Sequence, residues 1–450
     1  MTALAPSTWW RGLGSLTRSG SAVEGFSWAL YDFANTIYSF AIVSFAMGPW
    51  AVRFLGETNG TFLFTLAGSA SVALNAAVSP VLGAMSDRTG GRKGYLLVFT
   101  VMCIVPTALI GLVGIAGGLL FFAIANFAYQ AALIYYDSLL PDVARPETRG
   151  RLSGIGVGLG YLGTIVSGLL YAFTTDADGR STAASFLLVA SLFAVFAIPI
   201  FAIVKERRPA VGVRFRLRDA LGSWSQLGTT IAHARERRGL LRFIVGRFFY
   251  SDPINTAIAV MSLFAINAIG FTESEARYVL IGLTVVAVLA SFGWGVLVDR
   301  IGPKRTLLLV LGSWVAGLLL LGLLLAKVPF LIAGAILGSG LGGVAVTDRI
   351  YLLRLSRPGE TGEMFGLYGL AGKLSAVIGP LLFGGIILLL DPERTGPGAY
   401  QVAILSLLVL MIIGLAIILG VPESNEDDGE PGLPVSVYPP ELVDPLETVA

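Results

Sequence analysis

Two apolar stretches carry the same polar motif. Asp32-Phe33-Ala34-Asn35-Thr36 recurs 220 residues later as Asp252-Pro253-Ile254-Asn255-Thr256. An ionisable side chain inside lipid costs about 2.5 kcal/mol or more, so each one needs a binding, relay or pairing role. Asn35 and Ser39 follow Asp32 at helical spacing and give it a polar stripe. A carboxyl placed there can take up and release a proton. Arg247, five residues before Asp252, is positioned to neutralise Asp252 or another buried acid. Asn126, Gln130 and Asp137 are separated by four and seven residues, which puts them on one helix face. Asn126 and Gln130 are read as cavity lining. Asp137 and its counterpart Asp348 lie near helix ends and are read as gate residues. Lys373 is the one lysine deep in an apolar run, suited to a substrate carboxylate or a buried acid.

The elements that must position these residues are membrane helices. Of 450 residues, 55% are hydrophobic and only 13% charged, against roughly 25% charged in a soluble domain. Apolar runs of about twenty residues match a helix crossing the bilayer. The period-two alternation of a membrane barrel is not seen. The expected spans are 28–52, 62–86, 95–116, 117–140, 153–174, 183–204, 240–268, 276–297, 304–326, 328–351, 363–390 and 400–421. This predicts an all-α membrane protein of twelve transmembrane helices in two pseudo-symmetric six-helix bundles. The bundles occupy 28–204 and 240–421. Residues 1–27 form a cytoplasmic N-terminal segment with no apolar run of a secretory signal. Residues 205–239 read as a basic linker with an amphipathic helix through Leu217, Leu221, Trp224, Leu227 and Ile231. Residues 422–450, rich in Glu, Asp and Pro and lacking Lys and Arg, read as a disordered acidic tail.

Lys and Arg set the orientation. Of the 31 in the chain, 24 fall on the termini, the linker and one set of loops, with Arg349 counted among them. Five fall on the opposite loops, and Arg247 and Lys373 lie within spans. Both termini are therefore expected in the cytoplasm, in a bacterial-type inner membrane.

The halves repeat in detail. Gly83-Ala-Met-Ser-Asp87-Arg88-Thr-Gly90-Gly-Arg92-Lys93 and Gly295-Val-Leu-Val-Asp299-Arg300-Ile-Gly302-Pro-Lys304-Arg305 differ by 212 at every shared position. The same offset relates Gly150, Gly154 and Gly160 to Gly362, Gly366 and Gly372. Parallel six-helix repeats flanking a midplane site are a transporter architecture.

The doubled loop resembles the signature loop of the major facilitator superfamily, departing from it at Gly91 in the first copy. Three further stretches resemble the unknown-major-facilitator family related to fungal vacuolar amino-acid effluxers. They are Trp28-Ala-Leu-Tyr31-Asp32-Phe-Ala-Asn35-Thr, Leu140-Pro141-Asp142, and Arg149-Gly150-Arg151-Leu152-Ser153-Gly154 with Gly160-Tyr161-Leu162-Gly163. The broad resemblance covers the chain; the narrow one rests on spans one, four and five. It implies a secondary active transporter working by alternating access, possessed of no cofactor, exporting an amino acid or related small polar metabolite with a proton. Asp32, Asn35, Asn126, Gln130, Asp252, Asn255 and Lys373 are the candidate substrate or proton residues. Asp87, Arg88, Arg92, Asp137, Arg149, Asp299, Arg300 and Asp348 are the candidate gate. Span four lacks the embedded Arg of many drug/proton antiporters, which argues against that activity.

Other classes fare worse. One cysteine, Cys103, and one histidine, His233, rule out an internal disulfide and a Cys/His metal cluster. An embedded enzyme would lack its usual catalytic groups, and no ATP-binding P-loop is present. Gly158-Leu-Gly160-Tyr-Leu-Gly163 fits a dinucleotide fingerprint but sits in an apolar span without a strand, so it reads as close helix packing. Nothing in the charge pattern calls for nucleic acid; the partners are a small solute, a proton and membrane lipid. A monomer is a sufficient unit. The alternatives are a carrier of lipid or peptidoglycan fragments, and a non-transporting receptor or scaffold of the same fold.

Overall fold

The structure is a computed structural model that describes residues 12–175, 182–207, 235, 237, 239–357, 360–376, 378–390 and 396–423. Among the described residues, twelve helices are long and apolar enough to cross a bilayer. In the first half they are α1 (Ala22–Gly56), α2 (Phe62–Asp87), α3 (Arg92–Leu112), α4 (Ile115–Val143), α5 (Pro146–Leu170) and α6 (Ala183–Ile203). In the second they are α7 (Leu240–Asn267), α8 (Tyr278–Ile301), α9 (Pro303–Leu323), α10 (Lys327–Leu355), α11 (Thr361–Leu390) and α12 (Gly398–Leu419). The amphipathic stretch expected from Leu217 to Ile231 and the tail beyond Glu423 lie outside the described residues.

Within the first half α1 packs on α5 and α6, α3 on α4 and α6, and α2 on α4. The second half repeats this with α7 on α12 and α9 on α10 and α12. Apolar side chains such as Phe62, Leu120, Leu289, Leu309 and Leu389 are exposed on the outer surface. With lipid as solvent, such a surface is at rest, and packing contacts rather than water exclusion hold the helices together.

Three helices depart from the regular form expected. α1 starts at Ala22, six residues before the apolar run at Trp28, because Ser21 caps it by accepting from Glu24 N–H. It passes through a π-helical stretch at Ser39–Ala46, a form often found at functional sites. α11 is built from Thr361–Ser375 and Ile378–Leu390. α10 runs to Leu355, beyond the expected 351, which sets Arg349 more than a turn inside the helix end, buried at 8% exposure and not among the loop charges with which it was counted.

The halves meet along α2 against α11 and α5 against α8. Small residues set that approach. A Cβ on Gly154 would stand 2.6 Å from Ser291 O, and one on Gly366 would collide with Ser79 O. The pairs Gly154/Gly366 and Ser79/Ser291 are each related by the 212 offset. The repeat therefore specifies two equivalent close crossings.

Candidate functional site

At the end carrying the signature loops, each half bonds to the other. Gly90 and Gly302 end α2 and α8 with φ of 71° and 86°, values only glycine adopts without strain. These turns leave Asp87 and Asp299 at the ends of their helices. Asp87 accepts from Glu363 N–H at 2.8 Å, at the start of α11. Asp299 accepts from Gly150 N–H at 2.8 Å and Arg151 N–H at 3.0 Å, at the start of α5. Each carboxylate thus satisfies orphan donors of a helix N-terminus in the opposite half. The guanidinium partners differ. Arg92, buried, bonds Asp87 at 2.5 Å, Ser138 O at 2.7 Å and Thr361 at 3.0 Å. Asp299 instead pairs with the exposed Arg151 at 3.0 Å. Arg300 is exposed at the end of α8, Arg149 is half-buried in the first turns of α5, and the side chain of Arg88 lies outside the described residues.

Further into the membrane lies a buried charge cluster. Arg349 Nε is 2.8 Å from Asp137, and Arg349 Nη2 is 3.8 Å from Asp32. Arg349 also donates to Ser153 Oγ at 3.2 Å and lies 5.6 and 5.4 Å from the Trp28 and Tyr136 ring centres. One residue of α10 thereby ties the second half to α1, α4 and α5 of the first. Beside it Arg247 pairs with Asp348, not with Asp252, and sits 3.4 Å over the Tyr368 ring. Tyr250 donates to Asp348 at 2.7 Å. Stacking on aromatic faces contributes about 2 kcal/mol when desolvated, which offsets part of the cost of burying a guanidinium.

A cavity of about 580 Å³ adjoins this cluster, within the range of small-molecule sites. Gln130, Asp137, Arg247, Ser251, Asn255 and Lys373 give it polar groups. Val72, Leu133, Ile134, Ile254, Ile258 and Phe365 give it apolar wall. Lys373 donates to Asn75 and, at 3.3 Å, to Ser79 on α2.

The other candidates lie elsewhere. Asn126 is buried and donates to Ser71 at 2.7 Å. Asn35 is buried in α1, away from the lining. Asp252 accepts from Gly379 N–H at 2.8 Å, at the start of the second segment of α11. Asp32 stands behind the wall, reaching the cavity through Arg349 and Asp137. The residue that sequence reasoning missed is Arg349. Its signal was the continuation Tyr351-Leu352-Leu353, which prolongs the apolar helix past the charge.

A family model described as vacuole effluxer Atg22 like matches residues 50–428. The uncharacterized MFS-type transporter YxiO of Bacillus subtilis is 26% identical over 422 residues, covering 89% of this chain and 95% of that protein. Autophagy-related protein 22 of Coccidioides immitis is 24% identical over 306 residues, covering 62% of this chain and 50% of the fungal protein. Among solved structures, the human organic anion transporter MFSD10 superposes with a TM-score of 0.70 at 16% identity, covering 88% of this chain and 98% of that one. The proton:xylose symporter XylE gives 0.62 at 14% identity, covering 90% and 97%. The likeness to these structures establishes the fold, twelve helices of the major facilitator type. Transport rather than enzymatic catalysis follows from the family. With its match running from the last turns of α1 through α12, the chain belongs to the Atg22-like vacuole effluxer family of multi-pass major facilitator transporters.

Proposed function

We propose that this protein exports a small polar solute, an amino acid or related metabolite, by proton-coupled alternating access across a bacterial-type inner membrane. Both termini are then cytoplasmic, and the signature-loop end is the cytoplasmic gate. One observation carries the coupling: Asp32 and Asp137 share the single guanidinium of Arg349 across the boundary between the halves. Two carboxylates on one cation leave one charge uncompensated, and a proton removes it. When the halves part, Arg349 leaves its acids, so the protonation state and the conformation are linked. Asp87 and Asp299 hold the gate shut in the form described here, and their release opens the cytoplasmic side.

The test uses proteoliposomes loaded with a pH-sensitive dye and challenged with amino acids and small metabolites. Substrate-dependent proton flux in the wild type that is absent in both Asp32→Asn and Asp137→Asn is the expected result. Flux retained in both variants moves the proton site away from this pair, to Asp252 first. A scaffold that retains the fold tolerates these changes and gives no flux in any case.

A further inference from the structure

The Asp-x-x-Asn-Thr motif is used differently in its two copies. In the first, Asp32 faces Arg349, and Thr36 donates to Asp32 O at 2.8 Å. The helix packed beside it, α5, runs unbroken from Arg149 to Ala172. In the second copy Asp252 and Thr256 are both buried, 2% and 0% exposed. Asp252 Oδ1 accepts from Gly379 N–H at 2.8 Å. Asp252 Oδ2 and Thr256 Oγ1 have no hydrogen-bond partner among the described residues. The counterpart of α5 in this half is α11, and it breaks between Ser375 and Ile378, next to the Gly379 that Asp252 meets.

Three side-chain oxygens converge at that break. A Cβ on Gly379 would collide with Thr256 Oγ1 and stand 2.9 Å from each oxygen of Asp252. The first segment of α11 ends at Ser375. Its last carbonyls therefore lack intrahelical partners and form the negative end of the segment's dipole. Carboxylate, hydroxyl and carbonyl oxygens are donors for a hard cation, and the ends of broken helices hold such ions in other transporter folds. The bond from Gly379 accounts for one carboxylate oxygen and leaves a negative charge inside the membrane, which is costly without a cation. Arg247 pairs with Asp348, and Lys373 donates to Asn75 and Ser79. One carboxylate balances a single positive charge, so a monovalent ion fits and a divalent one would carry an excess into lipid.

We propose that Asp252 and Thr256, with the last carbonyls of the first segment of α11, form a sodium site that ties α11 to α7. Their neighbours Ser251, Asn255, Gly372 and Ala376 line the central cavity, which gives the ion its way in. The first half, with a guanidinium at Asp32 and a continuous α5, has no equivalent. Ion binding there requires no particular cargo and no proton flux.

Thermal unfolding of the purified full chain tests the site, read by a thiol-reactive dye at the buried Cys103, the single cysteine of the chain. Sodium chloride replaces choline chloride at constant ionic strength and pH. A saturable rise of ~3 °C or more in apparent Tm is expected with sodium, and less than half of it with potassium. Asp252→Asn, Thr256→Val and Gly379→Ala, the last placing a methyl among the oxygens, should each melt cooperatively in choline and lose the sodium response. Thr256→Ser, which keeps the hydroxyl, and Thr36→Val, the same change in the first copy, should retain it. If Asp252→Asn shows no cooperative melt in choline, Thr256→Val and Gly379→Ala decide. An equal rise in potassium, no rise in the wild type, or a full sodium response in the folded variants overturns the proposal. Stabilisation by acid in choline with no sodium response assigns Asp252 to a proton and overturns it as well.

Discussion

Arg349 ties α10 to three helices of the other half. It faces Asp137, Asp32 and Ser153 and lies near two aromatic rings. Removing one partner from a buried charge network costs about 3–5 kcal/mol, because the charges left behind have no solvent. Arg349→Gln should therefore lower the apparent Tm in detergent and abolish transport. Arg349→Lys should recover little transport, since one ammonium cannot reach both carboxylates and stack as a planar guanidinium does. Recovery of transport in Arg349→Lys to near wild type would show that only the charge matters. The acids of this cluster were legible in the sequence as rare charges in apolar runs. Their partner was not, because a basic residue near a helix end is indistinguishable from one that sets topology. What decides is the axial position of Arg349, and that depends on how far α10 continues. Pairing was equally hidden: Arg247 lies five residues from Asp252 in sequence yet meets Asp348, 101 residues away.

Helix ends in this protein are repeatedly met by carboxylates from elsewhere in the chain. Glu206, just past α6, accepts from Arg92 N–H at 2.7 Å and Lys93 N–H at 3.2 Å at the start of α3. Burial nevertheless pushes its carboxyl above the usual glutamate range, outweighing these two hydrogen bonds. A carboxyl raised in the folded state favours folding when protonated, and that contribution is lost as pH rises through its folded value. Glu206→Gln mimics the protonated form and keeps an acceptor. Its apparent Tm should exceed that of the wild type at pH 8, with the gap closing as pH falls toward 4. A lower Tm than wild type at pH 8 would mean that the anion at the helix terminus dominates after all. At the same scale, the glycine crossings argue for Gly366→Leu. Its side chain would collide with Ser79 O, so α2 and α11 cannot close. Thiol labelling of cysteines introduced at the signature-loop end should rise in this variant and stay low in Gly282→Leu, where a Cβ meets nothing within 4 Å. The glycines announced themselves through the 212 offset. The π-helical stretch of α1 and the two segments of α11 did not, since neither changes the apolar pattern.

Across the whole molecule, Asp87 and Asp299 are related by the repeat but have unequal ion-pair partners. Hydrogen bonds to a charged acceptor contribute about 1.5–3 kcal/mol each, and Asp87 and Asp299 both accept from helix N-termini across the boundary between the halves. Their surroundings separate them. The ion pair of Asp299 is with Arg151, whose side chain is 43% exposed, and an exposed pair contributes about 0–1 kcal/mol. Asp87 instead neutralises Arg92, which is 1% exposed. Asp87→Ala leaves that guanidinium buried without the carboxylate it bonds, with Ser138 O and Thr361 Oγ1 as its remaining hydrogen-bond partners. The repeat was visible in the sequence and correctly predicted paired loops. The inequality was invisible there, because it arises from which Arg folds over each Asp. Asp87→Ala should therefore raise the fraction of molecules open at the signature-loop end at least tenfold, equivalent to about 1.4 kcal/mol, and Asp299→Ala by clearly less. Distance distributions between spin labels on the α2–α3 and α8–α9 loops, measured for both variants in nanodiscs, read this directly. An equal shift in the two variants would mean that the helix-terminus contacts alone set the gate and that the buried Arg92 pair adds nothing to it.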